Sequence, residues 1–287
     1  MGYKIITDSS SDINKNTLDE WGVGLVELSF RFTDAEKVYS GYDMPISEFY
    51  GAMRAGRVAK TSAANTETFR EVFEEQLKAG EDVLYLAFSS GLSATYNAAR
   101  LAAAALASEY PDRKIITVDT LAASAGQGLL VYFAALKKKA GATIDEVAEY
   151  IEGIKLNLAH WFTVEDLVYL KRGGRVSAAA AFFGNMLGIK PVLHVDNEGH
   201  LVPVEKVRGR RTSLNTILDN YGKTAIDPEK GPVFISHAEC MADVEYFCAE
   251  LERRYGVKVE LIADVGTVIG AHSGPGTFAF FFLAKER

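Results

Sequence analysis

Short β-branched and apolar runs alternate with helical periodicity through the first half of the chain. Runs at Lys4–Thr7, Leu25–Phe30, Val83–Phe88 and Lys114–Val118 predict strands. Between them, apolar positions recur at helical spacing near Asn14–Trp21, Ile46–Ala55, Thr66–Ala79 and Ser93–Tyr110. Two further helices follow, about Ala123–Lys139 and Thr143–Asn157, the second with Thr143 as its N-cap. Strand–helix alternation is the signature of a parallel α/β sheet, and this many helices covers both faces, a three-layer arrangement.

The second half carries a different pattern. A strand near Trp161–Val164 leads into a helix, Glu165–Leu170, that stops at Gly173-Gly174, and another helix is expected from Ser177. Lys190–Val195 and Leu201–Val207 flank Asp196-Asn197-Glu198-Gly199 and read as a hairpin. Strands at Val233–Ser236, Lys258–Ile262 and Thr277–Phe282 are separated by helices at Leu214–Tyr221 and Ala242–Tyr255. Hairpin and longer crossings together predict a mixed or antiparallel sheet with helices. A chain of 287 residues exceeds the size at which one core keeps growing. We therefore expect two α/β domains, 1–157 and 158–287, with the boundary near Leu156–Trp161.

Composition narrows the function. A net charge of −7 argues against a general nucleic-acid binder. Basic residues do gather at Lys171, Arg172 and Arg175 and at Lys206, Arg208, Arg210 and Arg211, beside glycines that let a phosphate or a partner backbone approach. No apolar run approaches the roughly 18–20 residues needed to span a bilayer, and MGYKIITDSSSD lacks the apolar stretch of a secretory signal. Cys240 and Cys248 fall in a helical pattern and read as reduced core residues. The expectation is a cytoplasmic protein.

Candidate chemistry sits at strand ends. Thr7-Asp8-Ser9-Ser10-Ser11-Asp12 follows the first strand, Ser89 to Thr95 the third, and Asp119-Thr120, leading to Ser124, the fourth. Ligands of open parallel sheets bind outside the carboxyl ends of the strands, where helix N-termini favour anions. Taken singly, each cluster reads as helix caps; together they point to an anionic ligand. Lys60-Thr61-Ser62 lies in a predicted loop, with Asn65 as the N-cap of the next helix. Gly270-Ala271-His272-Ser273-Gly274-Pro275-Gly276 reads as a rigid turn that fixes His272, either as a structural residue or as a donor to a carboxylate or phosphate. The chain has no G-x-S-x-G elbow, Walker A lysine motif, G-x-G-x-x-G after the first strand, or metal-ligand spacing. Binding without metal or cofactor is thus the expectation, rather than catalysis.

Read in order, IITDSSSD, KTSAAN, SSGLSATYNAA, VDTLAASAGQG, YLKRGGRVS, GIKPVLHVDNEGHL, KVRGRR and AHSGPGTFAF resemble the motif series of the DegV family of two-domain bacterial fatty-acid-binding proteins, along the whole chain. The resemblance implies a long-chain fatty acid of the palmitate, stearate or oleate class between the two domains. Its carboxylate would lie near Thr61, Ser62, Ser93 and His272, with Ser273 beside them. It also implies a separate kinase that phosphorylates the bound acid for phospholipid synthesis. Arg172 would meet the phosphate or the kinase, with Arg208 and Arg210 as secondary candidates, and the role allows transient membrane contact. The tail would face residues from Phe278–Phe282, Ala102–Leu106 or Phe182–Leu187. Ala64 and Asn65 stand where the family has proline and serine, and Ala94 where it has glycine, which alters the pocket rim. Two rival readings are a lipid-sensing regulator and an esterase using Ser93 or Ser90 with His272 as base.

Overall fold

The computed structural model describes residues 2–176 and 188–287; the helix expected from Ser177 and the stretch 182–187 lie outside them. In chain order the described elements are β1 (Tyr3–Asp8), α1 (Lys15–Glu20), β2 (Val23–Val26), β3 (Ser29–Phe32), β4 (Tyr39–Ser40), α2 (Ile46–Arg54), β5 (Ala59–Ser62), α3 (Thr66–Lys78), β6 (Asp82–Ala87), α4 (Thr95–Glu109), β7 (Ile115–Asp119), α5 (Ala125–Lys139) and α6 (Ile144–Ile154). Then come β8 (Leu158–Thr163), α7 (Val168–Gly173), β9 (Ile189–Val195), β10 (Leu201–Arg208), α8 (Arg210–Thr224), β11 (Phe234–His237), α9 (Met241–Tyr255), β12 (Leu261–Asp264), α10 (Thr267–Ser273) and β13 (Phe278–Leu283).

The first sheet is parallel, in the order β2-β1-β6-β7. Alternate residues of its central strands point to opposite faces. Ile6, Val83 and Tyr85 pack under α3 and α4, whereas Ile5, Leu84 and Leu86 pack against α5 and its neighbours. The three layers follow directly from that alternation. The predicted caps of α3 and α6 are present. Asn65 Oδ1 accepts the Thr68 N–H at 2.9 Å, and Thr143 forms a capping box with Glu146.

The second sheet is mixed, in the order β10-β9-β8-β13-β11-β12, with only β11 and β12 parallel among its pairs. Its two faces are set by β13. Phe278, Phe280 and Phe282 point toward α8 and α9, while Ala279 and Phe281 point toward α5. Helix α5 lies between the two sheets, and its run 125–131 is buried on every side. Glycine makes that close fit feasible: a Cβ on Gly126 would come within 2.7 Å of Phe281 and 2.6 Å of His160 Nε2.

Three expectations change at this level. Leu25–Phe30 is not one strand. The chain leaves β2 at Val26, and the Leu28 N–H donates to Ser9 Oγ at 2.9 Å, which turns it into β3 of a separate antiparallel sheet, β4-β3-β5. Lys60-Thr61-Ser62 is accordingly strand, not loop, paired with Arg31, Phe30 and Ser29. His272 sits in the last turn of helix α10, and the turn proper begins at its C-cap, Gly274, with φ +81°. Apolar period over so short a helix, flanked by glycines, left no signal to read.

Candidate functional site

A cavity of about 220 Å³ opens between the two sheets. Its floor is the α5-facing side of the second sheet, and strand register fixes which residues form it. Phe162, Ala279 and Ser236 lie in one row across β8, β13 and β11; His160, Phe281 and Phe234 lie in the next. All of these except Phe234 line the space. Leu28, Phe88 and Leu92 from loops of the first sheet, with Val268 and Ile269 of α10, close it from the other side. The walls are therefore mainly apolar, with polar groups confined to a few places.

One polar group of residues collects at the C-terminal end of α10. Thr61 Oγ1 and His272 Nε2 are 2.8 Å apart, joining β5 to α10 across the molecule. Ser93 lies at the entry to α4, where its Oγ accepts the Thr95 N–H at 3.3 Å and pairs with Thr95 Oγ1 at 2.8 Å. Thr61, Ser93, His272 and Ser273 all line the cavity. Among the described residues, His272 Nδ1 and Ser273 Oγ are buried with no hydrogen-bond partner. Such orphaned groups are costly unless a ligand or water satisfies them. Burial, with the nearby Arg175 charge adding to it, pushes the His272 imidazole down to about 4, so it is neutral at physiological pH.

The R-G-G-R segment shapes this end from below. Helix α7 stops against α10 at Gly173, where a Cβ would overlap His272 Nδ1 and meet Cε1 at 3.3 Å. Gly274 likewise admits the Tyr169 ring, which a Cβ there would overlap. Arg175 then turns into the cavity wall, donating from Nε to Leu92 O at 3.2 Å. The other predicted residues fall elsewhere. Ser62 is exposed and outside the cavity lining. Arg172 is exposed, with its guanidinium 5.8 Å from the Tyr169 ring centre, and Arg208 is exposed at the end of β10. Arg210 holds structure together, donating to Asp243 at 2.9 Å and to Gly276 O at 2.7 Å. Among the expected tail contacts, Ala279 and Phe281 line the cavity, whereas Ala102 and Leu106 pack under α3.

Of the other lining residues, His160 and Ser236 carried no candidate role in the sequence, while Arg175 and Ser124 were named only within a basic and a hydroxyl cluster. Arg175 is the second arginine of the R-G-G-R segment. His160 is buried on β8, its pKa held well below the ordinary imidazole range by desolvation and then by the charge of Arg287. Ser236 and Ser124 form a second polar pair, Oγ to Oγ 2.8 Å, and Ser124 donates onward to Asp12. Asp12 Oδ1 also accepts the Gly266 N–H at the start of α10, at 2.9 Å. Period-two alternation in β8, β11 and β13 selects this face only once the partner strands are known.

The hairpin tip closes one flank. Ser89 Oγ donates to Gly199 O at 2.9 Å, and Gly91 lets Glu198 O approach where a Cβ would stand 2.7 Å away. Val195 and Leu201 at the base of that hairpin line the cavity. Among the described residues no cluster of His, Cys, Asp and Glu could hold a metal, and no helix is long and apolar enough to cross a membrane.

Comparison with known proteins places this architecture. A DegV domain-containing protein of Clostridium perfringens is 41% identical over 286 residues, covering 99% of this chain and 98% of that protein. A lipid-binding DegV protein from Thermotoga maritima superposes with a TM-score of 0.87 at 32% identity, each chain fully covered. A DegV family protein from Thermus thermophilus, described by its fatty-acid binding, gives 0.87 at 30% identity over 99% of this chain and 100% of that one. A stearic acid-binding protein from Eubacterium ventriosum gives 0.88 at 26% identity over 99% and 98%. A family model described as "Uncharacterised protein, DegV family" matches residues 3–285, and the chain belongs to the DegV family.

Proposed function

We propose that this protein binds one long-chain fatty acid between two domains, 1–157 and 158–287, with the carboxylate at Thr61, Ser93, His272 and Ser273. The observation that carries the reading is an apolar cavity ending in buried polar groups that lack partners among the described residues. The fatty-acid binding of the Thermus and Eubacterium relatives supports it. About 15 methylenes at roughly 0.8 kcal/mol each give about 12 kcal/mol of gross drive, so the tail dominates affinity. The polar end sets direction, because an unpaired buried carboxylate would forfeit much of that gain. Neutral His272 donates one hydrogen bond as it stands, and a carboxylate beside it raises its proton affinity.

The carboxylate would then be offered to a partner kinase for acyl-phosphate formation, with exposed Arg172 and Arg208 as contacts. Hydroxyl pairing supports a carrier over an esterase: His272 bonds Thr61, while Ser93 is engaged with Thr95. Gentle purification followed by denaturing mass spectrometry tests the reading. About one fatty acid per chain is expected. No recovered lipid, together with no uptake of added oleate or palmitate, would refute it.

A further inference from the structure

The apolar floor of the cavity contains one hydroxyl that its surroundings do not call for. Ser236 shares a row with Phe162 and Ala279, and Phe281 and Phe234 occupy the next row. An alanine or valine would be the ordinary residue there. Its Oγ is instead the cavity-facing end of a chain, Asp12 to Ser124 to Ser236. Ser124 holds a left-handed backbone, φ +56°, which a non-glycine residue keeps only when its surroundings insist. A residue with strained backbone and a buried carboxyl, which also accepts the Gly266 N–H, thus hold the Ser236 hydroxyl against the space where an alkyl tail would lie.

We propose that the cavity accepts a long-chain fatty acid bearing a hydroxyl on its tail, recognised by Ser236. This rests on the reading that the carboxylate sits at Thr61 and His272. A serine hydroxyl has one donor and two acceptor sites. Among the described residues Ser236 Oγ is paired only with Ser124 Oγ, so acceptor capacity remains whichever way the chain of hydrogens runs. If Asp12 carries the proton, the chain runs outward and the Ser236 O–H is free to donate; if Asp12 is ionised, Ser236 accepts. Burial drives the Asp12 carboxyl up to about 8, against the hydrogen bonds from Ser124 and Gly266, so both states are within reach. A ligand hydroxyl can donate and accept, and it completes the chain in either state. A methylene completes neither.

The test measures dissociation constants of the full-length protein, stripped of lipid, for stearic acid and for hydroxystearic acids substituted at successive carbons from the sixth to the sixteenth. In the wild type, one isomer should bind at least as tightly as stearate, and isomers with the hydroxyl well away from that carbon about tenfold more weakly. In Ser236→Ala, that best isomer should lose about tenfold while stearate holds or improves. A thermal melt confirms that the variant is folded, and the isomer profile of the wild type stands without it. A flat isomer profile with stearate still bound overturns this proposal alone. So does a profile that survives Ser236→Ala, since Ser236 would then serve structure or an ordered water. Failure of stearate and every isomer to bind removes the fatty-acid reading as well.

Discussion

Gly173→Ala sets two physical effects against each other at a residue the ligand need not touch. Gly173 closes helix α7 with helical backbone, and alanine there gains roughly 1 kcal/mol of helix propensity. Against that, the new methyl would overlap His272 Nδ1 and approach Cγ at 3.2 Å and Cε1 at 3.3 Å. A methyl forced into a packed site costs typically 1–3 kcal/mol. Rotation of the imidazole away from α7 would relieve the overlap and give up the 2.8 Å bond between Nε2 and Thr61. Net stability should therefore change by no more than about 2 kcal/mol, while the carboxylate anchor is lost from its seat. A hydrogen bond to a charged group is worth roughly 1.5–3 kcal/mol, so fatty-acid affinity should fall about ten- to a hundredfold. Binding is read by displacement of a fluorescent fatty acid and stability by urea midpoint, with Gly174→Ala as a control at a residue whose Cβ meets nothing among the described residues but whose φ is +68°. A Gly173→Ala protein that is more stable and binds oleate with wild-type affinity would refute the assignment of His272 to the anchor.

Other consequences are more direct. His272, with its pKa pushed to about 4 from an unfolded 6.5, adds stability that is present above pH 6.5 and lost as pH falls toward 4. A bound carboxylate opposes that shift, so calorimetry at pH 6 in buffers of differing ionisation enthalpy should show proton uptake on oleate binding, abolished in His272→Ala. Asp12 has the opposite sign: its folded pKa of about 8 exceeds the unfolded 3.8, so its contribution is present below pH 3.8 and lost as pH rises through 8. Asp12→Asn should thus gain on the wild type between pH 5 and pH 8, by at most about 1.4 kcal/mol per pH unit in urea titrations; equal slopes would contradict a buried neutral carboxyl. Ala279→Leu would fill the floor between Phe162 and Ser236, and should cut stearate affinity more than tenfold while circular dichroism stays native. Thr143→Ala removes a capping box far from the cavity, and should cost about 1 kcal/mol with binding unchanged.

What could be read from the chain, and what could not, divides by the range of the interactions involved. Helices α3 and α6 were legible because their periodicity and caps are local: Asn65 and Thr143 bond N–H groups three residues away. Strands β1 and β6 were legible because burial on both faces makes them continuous apolar runs. By contrast, β5 is short and half-polar, and it is a strand only because β3 lies beside it. The site inherits the same limit. Thr61 and His272 could each be picked out beside unusual neighbours, yet their 2.8 Å contact spans 211 residues of chain. Arg172 and Arg175 are indistinguishable as letters in R-G-G-R, and only the stop of α7 at Gly173 and the left-handed Gly174 send one outward and the other to the cavity wall. Ser236 is the extreme case. In FISHA it reads as one polar residue in a strand, and its meaning depends on the register of β11 on β13, the partner β8 beyond it, and a hydroxyl from α5's N-cap on the far side. The first step crosses 43 residues of chain, and the other two more than a hundred each. The anchor for an anion was therefore visible in the composition of strand ends, while the features that would choose among tails exist only after both sheets have closed on α5.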